Sequence, residues 1–305
     1  MGIINDKFML SNRTAEKLYN EYAKDLPIID YHCHLSPQMI AEDYRFKSAY
    51  DLFLGGDHYK WRQMRSFGIS EEYITGDADE YEKWLGYPGL CDDMKKELES
   101  IKGNDDEIAF RFKDEMSFGT AGIRGIMSAG TSKINIYTIQ RATQALADFI
   151  LRQGGGEIAI AYDTRNNSEL FAKRSAAVLA ANGIKVHIFS LSCPTPELSF
   201  AVRRLKCIAG INITASHNQK QYNGYKVYYS DGAQIGPEQA EEISEIIDRT
   251  DIFEGVKTDS FDKLLSDGMI SYIPRSLDDE YLDCVLKQTV NKNAIADQPD
   301  MAVVY

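Results

Sequence analysis

No stretch of this chain reaches the ~18 consecutive apolar residues that suggest a membrane-spanning helix, so a membrane partner is not expected. The amino terminus, MGIINDKFML, lacks the basic-then-apolar pattern of a secretory signal. A myristoylation pattern is missing too, because Asp6 stands where it wants Ser or Thr. Cysteine is sparse: Cys33, Cys91, Cys193, Cys207 and Cys284 are scattered, odd in number and without C-x-x-C spacing. That argues against a disulfide framework and a structural zinc site, and fits a reducing cytoplasm. Basic charge is short, with 34 Lys and Arg against 46 Asp and Glu and a net charge of -12. An acidic chain repels nucleic acid and anionic membrane, so neither is an expected partner. A small phosphorylated ligand stays open, since local basic groups and backbone N–H donors can hold a phosphate. There is no internal repeat and no low-complexity tract.

The 305 residues suffice for about two domains. The segment 13 to 23 reads as an amphipathic helix with Leu18, Tyr19 and Tyr22 near one stripe, and IIDYHCHL after Pro27 suits a buried strand. No long apolar element lies between about 70 and 108, which places a seam near Gly76 to Tyr81. Beyond Ile108 strands and helices alternate. Ile136 to Gln153 predicts a helix ended by Gly154-Gly155-Gly156, and EIAIAYD a strand. Ser168 predicts the cap of a helix running to Asn182, followed by the strand KVHIFS. Pro194-Thr195-Pro196 opens another helix, CIAGINITA and YKVYYS are strands, and Pro237 to Asp248 is an acidic amphipathic helix. This alternation predicts an α/β domain with helices on both faces of a sheet. ADQPDMAVVY reads as a turn and the start of a strand, so the domain that ends at Tyr305 is expected to be incomplete.

Ser216, in Thr214-Ala215-Ser216-His217-Asn218, follows a predicted strand, and α/β sheets bind ligands beyond the carboxyl ends of their strands. A serine oxygen can accept and return a phosphoryl group if other groups manage its proton and the phosphate charge. His217 is a candidate for the proton and Lys226 for the charge or as an acid. The same three residues also suit a polar turn. Phe118-Gly119-Thr120-Ala121-Gly122-Ile123-Arg124-Gly125 adds a glycine-rich loop ending on an arginine, the residue type that grips phosphate bidentately. His32 and His34, two apart in a predicted strand, point the same way and suit a divalent metal.

FGTAGIRG, NIYTIQRATQALADFI, YDTRNNS, PTPELSFAVR and TASHNQKQYNGYKVYYSDGAQI occur in that order and resemble the first domain of the phosphoglucomutase/phosphomannomutase family, the α-D-phosphohexomutases, over about residues 82 to 305. The resemblance implies a three-layer αβα domain with a mixed sheet over 81–290 and the start of a second domain over 291–305. It implies phosphoryl transfer between C1 and C6 of a hexose phosphate in the cytoplasm, phosphoglucomutase activity foremost, through phospho-Ser216 and a bisphosphate. Hexose 1,6-bisphosphate would be the activator, and Ser216 would hold Mg²⁺ through its phosphate. Arg124, Lys226 and His217 would be catalytic; Thr120, Gly122, Arg124, Asn218 and Lys226 would bind phosphate. Gln219 departs from the pattern, where the family usually has proline, and that removes a φ lock from the loop. The implied Mg²⁺ aspartate loop, sugar-specificity loop and last phosphate-binding domain would lie beyond Tyr305, so the enzyme is expected to be incomplete. Asp163 and Arg165 read as an ion pair tying a strand end to a loop, His187 as a core or edge residue, and Thr195 as part of a turn.

DLPIIDYHCHLSPQMIAEDYRF with GGDHYKWRQMR and YITGDA resembles the amino terminus of uronate (glucuronate) isomerase over about residues 5 to 79. That implies an incomplete TIM-barrel fragment over 1–80, with His32 and His34 as ligands of Zn²⁺ and the stretch His58 to Arg62 near the sugar acid. The alternatives implied are metal-dependent isomerisation of glucuronate or galacturonate, or a non-catalytic fusion of two fragments.

Overall fold

The computed structural model describes residues 10, 12–27, 41, 43–45, 58–69, 78–113, 115–294, 296–298 and 300–302. The chain divides into two compact units, Met1–Gly76 and Asp77–Tyr305. The first unit contains helix α1 (Arg13–Leu18), continued by a π-helical turn Tyr19–Ala23, and helix α2 (His58–Ser66). Asn12 caps α1, its side-chain oxygen accepting from the Ala15 amide at 2.9 Å. Leu18, Tyr19 and Tyr22 are exposed.

The second unit opens with three short helices, α3 (Ala78–Gly86), α4 (Asp92–Ser100) and α5 (Asp105–Phe112). The sequence shows little apolar signal here because each helix commits only a few residues to the interior. Tyr81, Trp84, Leu98 and Phe112 are buried together with Tyr137, Ile252 and Phe253 from later in the chain. Trp84 sits edge-on to Phe112, Tyr137 and Phe253, with ring centroids 5.7, 5.6 and 5.2 Å apart. That geometry suits aromatic quadrupoles better than face-to-face stacking.

The sheet has six strands: β1 (Ile123–Ile126), β2 (Glu157–Tyr162), β3 (Lys185–Ile188), β4 (Ala209–Ile213), β5 (Tyr222–Tyr229) and β6 (Ile270–Tyr272), in the order β1-β5-β4-β2-β3-β6. β4, β2, β3 and β6 are parallel, while β5 runs antiparallel to both neighbours, so the sheet is mixed. The connecting helices are α6 (Ile136–Arg152), α7 (Ser168–Ala181), α8 (Thr195–Arg204), α9 (Pro237–Arg249), α10 (Phe261–Ser266) and α11 (Arg275–Leu286). One sheet face presents Ile158, Ile160, Val186, Ile211, Ile213, Tyr225 and Val227 to α6, α7 and α9. The other presents Ala159, Ala161 and Tyr228 to α8 and α11. Because β2 and β4 are covered on both faces, they read as continuous apolar runs rather than as alternation.

The helix α6 begins at a capping box. Asn135 accepts from the amides of Tyr137 and Thr138, each at 3.0 Å, and the Thr138 hydroxyl accepts from the Asn135 amide at 3.0 Å. Two local readings change. Ser168 is the first residue of α7 and does not cap it; Asn167 precedes the helix at φ 64°, and the Ser168 hydroxyl donates to Asp163 instead. Thr195 is the first residue of α8 rather than part of a turn, and its hydroxyl accepts from Asn212 Nδ2 at 2.8 Å. The strand β6 and helix α11 follow α9 without having been foreseen, since β6 is three residues long. His187 lies within β3, half-buried, between Glu157 (2.6 Å) and Ser271 (3.0 Å). No described helix is long and apolar enough to cross a membrane.

Candidate functional site

The chain between β4 and β5 passes through residues 214 to 221, at the carboxyl end of β4. Ser216 is exposed and adopts φ 59°, a left-handed conformation uncommon for a residue with a Cβ. Its amide donates to the Thr214 hydroxyl at 3.0 Å. Its Oγ lies 3.3 Å from Nδ1 of the exposed His217, within reach for a shared proton. Asn218 is half-buried, and its Oδ1 is enclosed with no hydrogen-bond partner.

Strand pairing brings the basic residues to this loop. Arg124 on β1 lies opposite Gly224 on β5, and Lys226, two residues on, lies opposite Asn212 on β4. Cross-strand partners and residues two apart share a face. Arg124, Lys226, Asn212 and Thr214 therefore stand on one side of the sheet, the side that α8 covers farther along. Neither Arg124 nor Lys226 has a hydrogen bond or ion pair among the described residues, so their donors are open to an anion.

Two glycines make this approach possible. Gly122 has φ +71°, and a Cβ there would lie 1.8 Å from the Tyr225 carbonyl oxygen. The glycine-rich loop therefore rests directly on β5 beside Lys226. At Gly224 a Cβ would meet the carbonyl oxygens of Thr214 at 2.7 Å and of Ile123 at 3.0 Å. These are backbone atoms just before Ser216 and Arg124, and they can close on each other only without a side chain between them. Thr120 is exposed at the tip of the same loop.

Asp163 and Arg165 form the expected ion pair, at 3.3 Å. Sequence reasoning missed the rest of what Arg165 does. Its guanidinium also donates to the carbonyls of Ser216, Asn218, Gln219 and Tyr222, at 2.7, 2.6, 3.0 and 3.3 Å. Asp163 in turn accepts from the Ser168 hydroxyl at 2.7 Å and from the Arg165 amide at 3.0 Å. Asn223, fully buried, donates to the Asn166 carbonyl and to Ser168 Oγ, each at 3.0 Å. The motif YDTRNNS was legible, but which loop it grips depends on a contact more than 50 residues away.

The described residues bring no group of three or more His, Cys, Asp or Glu side chains together to hold a metal ion. The groups at the Ser216 loop are a hydroxyl, an imidazole, a carboxamide and backbone carbonyls, a set that does not by itself fit Mg²⁺. His32 and His34 lie outside the described residues; His58 to Arg62 fall in α2, with Arg62 exposed.

Residues 115–253 match the family model for phosphoglucomutase/phosphomannomutase, alpha/beta/alpha domain I, and residues 1–96 match that for glucuronate isomerase. The chain is 39% identical over 171 residues to a phosphoglucomutase of Staphylococcus saprophyticus, covering 56% of this chain and 31% of that protein. It is 61% identical over 86 residues to a uronate isomerase of Clostridium acetobutylicum, covering 28% of this chain and 18% of that protein. Among solved structures, a phosphoglucomutase/phosphomannomutase family protein from Burkholderia thailandensis aligns with 56% of this chain and 35% of its own, at TM-score 0.44 and 23% identity. The chain thus spans less than a third of the length of these curated relatives. It joins a segment similar to the amino terminus of uronate isomerases to one similar to domain I of phosphoglucomutases and phosphomannomutases.

Proposed function

We propose that the carboxy-terminal unit is a phosphohexomutase-type phosphoryl carrier, with Ser216 as the acceptor. The observation that supports it most is the presentation of Ser216: exposed, left-handed, and within 3.3 Å of a histidine nitrogen. Arg124 and Lys226, without partners among the described residues, stand on the neighbouring strands of that sheet face. In this reading a hexose 1,6-bisphosphate binds with one phosphate beside Arg124 and Lys226. Ser216 Oγ attacks phosphorus, the Oγ–P bond forms and the P–O bond to the sugar breaks. The serine proton passes to His217, and the sugar oxygen leaves as the alcohol after taking up a proton, with Lys226 as its source. The reverse transfer to the other hydroxyl of the sugar would interconvert the C1 and C6 phosphates. Thr120 and Asn218 line the same loops and would hold phosphate oxygens, while Gly122, whose amide donates to the Gly119 carbonyl at 2.7 Å, closes the loop beside them. With ³²P-labelled glucose 1,6-bisphosphate and Mg²⁺, the full chain is expected to take label on Ser216 and S216A none. Absence of label in the unaltered chain would overturn the reading.

A second reading rests on the match of residues 1–96 to the glucuronate isomerase model. It is metal-dependent aldose–ketose isomerisation of a uronate, with His32 and His34 as ligands. Turnover of glucuronate or galacturonate by the chain with added Zn²⁺ would establish it, and no turnover would end it.

A further inference from the structure

We infer that Arg165 is the positioning residue of the Ser216 loop, and that it touches no substrate; this rests on the reading of Ser216 as phosphoryl acceptor. A guanidinium has five N–H donors in a fixed plane. In Arg165 the Nε faces Asp163, Nη1 serves the carbonyls of Gln219 and Tyr222, and Nη2 those of Ser216 and Asn218. Both Nη groups are taken by carbonyls and Nε faces a carboxylate, so the guanidinium presents no open edge to a phosphate. Arg124, exposed and unpartnered among the described residues, is the opposite case.

The loop needs such a clamp. Three of its carbonyls, those of Ser216, Asn218 and Gln219, point to one place, and a polypeptide that turns its carbonyls inward concentrates negative partial charge there. A planar cation offsets that charge and sets the spacing of the carbonyls at once. Ser216 is also held at φ 59°, a conformation that costs about 1 kcal/mol or more for a residue with a Cβ and persists only when its surroundings impose it. The loop's own backbone amides make few bonds: Asn218 N to the Ala215 carbonyl at 3.2 Å, Tyr222 N to the Gln219 carbonyl at 3.0 Å, and the Ser216 amide to Thr214, while its side chains add, among the described residues, only Ser216 Oγ to His217 at 3.3 Å and Gln221 Nε2 to Gln219 Oε1 at 2.6 Å. Gln219 brings no ring to fix φ, and its carbonyl is one of the four that Arg165 binds. The clamp is anchored in the sheet and α7, since Asp163 follows β2 directly, its amide donates to the Ile213 carbonyl at 3.1 Å, and its carboxylate accepts from Ser168 at the start of α7 as well as from the Arg165 amide.

Lysine keeps the charge at 165 but has three donors on a flexible stem and cannot span four carbonyls, whereas methionine removes the charge. The test uses the full chain and its R165K and R165M variants. Three quantities are read: the thermal midpoint, amide hydrogen exchange of the 214–223 segment, and the rate of Ser216 labelling against the concentration of labelled glucose 1,6-bisphosphate. In both variants the midpoint is expected to stay within a few degrees, while exchange at the Ser216, Asn218 and Tyr222 amides rises. Misplacing a reacting group costs rate more than binding, so the maximal labelling rate is expected to fall by about tenfold to a hundredfold at an unchanged half-saturating concentration. Unchanged loop exchange would overturn the inference, and so would a shifted half-saturation at an unchanged maximal rate, which would make Arg165 a substrate ligand. Global unfolding of R165K would also overturn it, making Arg165 a folding residue. If the unaltered chain takes no label, the phosphoryl-carrier reading fails, and the exchange measurement still decides whether Arg165 holds the loop.

Discussion

Gly122 shows how much of the site rests on backbone geometry at single residues. Its φ of +71° is strained for any residue with a Cβ, and that Cβ would overlap the carbonyl of Tyr225, itself tied into the sheet. Neither partner is a flexible side-chain end, so the clash cannot be relieved locally. Gly122→Ala is expected to destabilise the carboxy-terminal unit by roughly 2 kcal/mol or more, read as a lower urea midpoint at an unchanged slope. Glu197 carries a different kind of strain. It is buried in the first turn of α8, and burial, then the nearby carboxylate of Asp278, pushes its carboxyl from the ordinary 4.5 up to about 7. Between those two values the folded chain holds a proton that the unfolded chain has released. The contribution of this group to stability is therefore fully present below about pH 4.5 and is lost as pH rises towards about 7, staying flat above it. Glu197→Gln should melt higher than the unaltered chain at pH 8 and converge with it near pH 5. A melting difference that does not change between those two pH values would refute the assignment.

Among the elements, α3, α4 and α5 were the least legible and are among the most consequential. Each is nine residues or fewer, and Trp84 is the hub on which Phe112, Tyr137 and Phe253 converge. A short helix shows its apolar face in one or two residues, too few for a periodic signal, and the residues covering it come from positions 137 and 253. Trp84→Ala is expected to cost about 3–5 kcal/mol, with loss of the near-ultraviolet aromatic signal preceding loss of helix. The helix α6 is the contrary case, 17 residues with its apolar positions in phase and a capping box at its start. Asn135 also donates to the carbonyls of Ser128, Gly130 and Lys133, so it ties the preceding loop as well as the helix. Asn135→Ala should therefore exceed the ~1 kcal/mol of an ordinary lost cap, with a thermal midpoint several degrees lower as the measure.

At the scale of the whole chain, the division at Gly76 and Asp77 leaves the six-stranded sheet, its two helical layers and the aromatic cluster entirely in the second unit. The match to the glucuronate isomerase model runs on to residue 96, through α3 and into α4. In the structure, however, Trp84 is buried against Tyr137 and Phe253, which lie in the phosphoglucomutase/phosphomannomutase match, and Tyr81 joins the same cluster through Phe112. Packing therefore assigns these helices to the second unit. A chain of residues 77–305 is expected to fold alone and to melt cooperatively at the temperature shown by the second unit in the full protein. A second chain starting at residue 97 should melt lower, because it leaves Phe112, Tyr137 and Phe253 uncovered. Equal midpoints for the two would count against α3 and α4 as part of this core.

The sequence by itself determined the alternation of strands and helices from residue 136 to 249, the place of the polar loop around Ser216 after a strand, and the glycine-rich segment leading to Arg124. These are local signals, carried by turn residues, continuous apolar strands and ordered motifs within a few residues of one another. Only the tertiary structure decided that β5 runs antiparallel between β1 and β4, which puts Arg124 and Lys226 on one face. Only it showed that Arg165 turns both ends of its guanidinium to the carbonyls of the Ser216 loop and of Tyr222, and that Trp84 belongs to the second unit. Strand order, a guanidinium's partners and the cover over a short helix are set by residues tens to hundreds of positions apart, and no local pattern encodes which of those will meet.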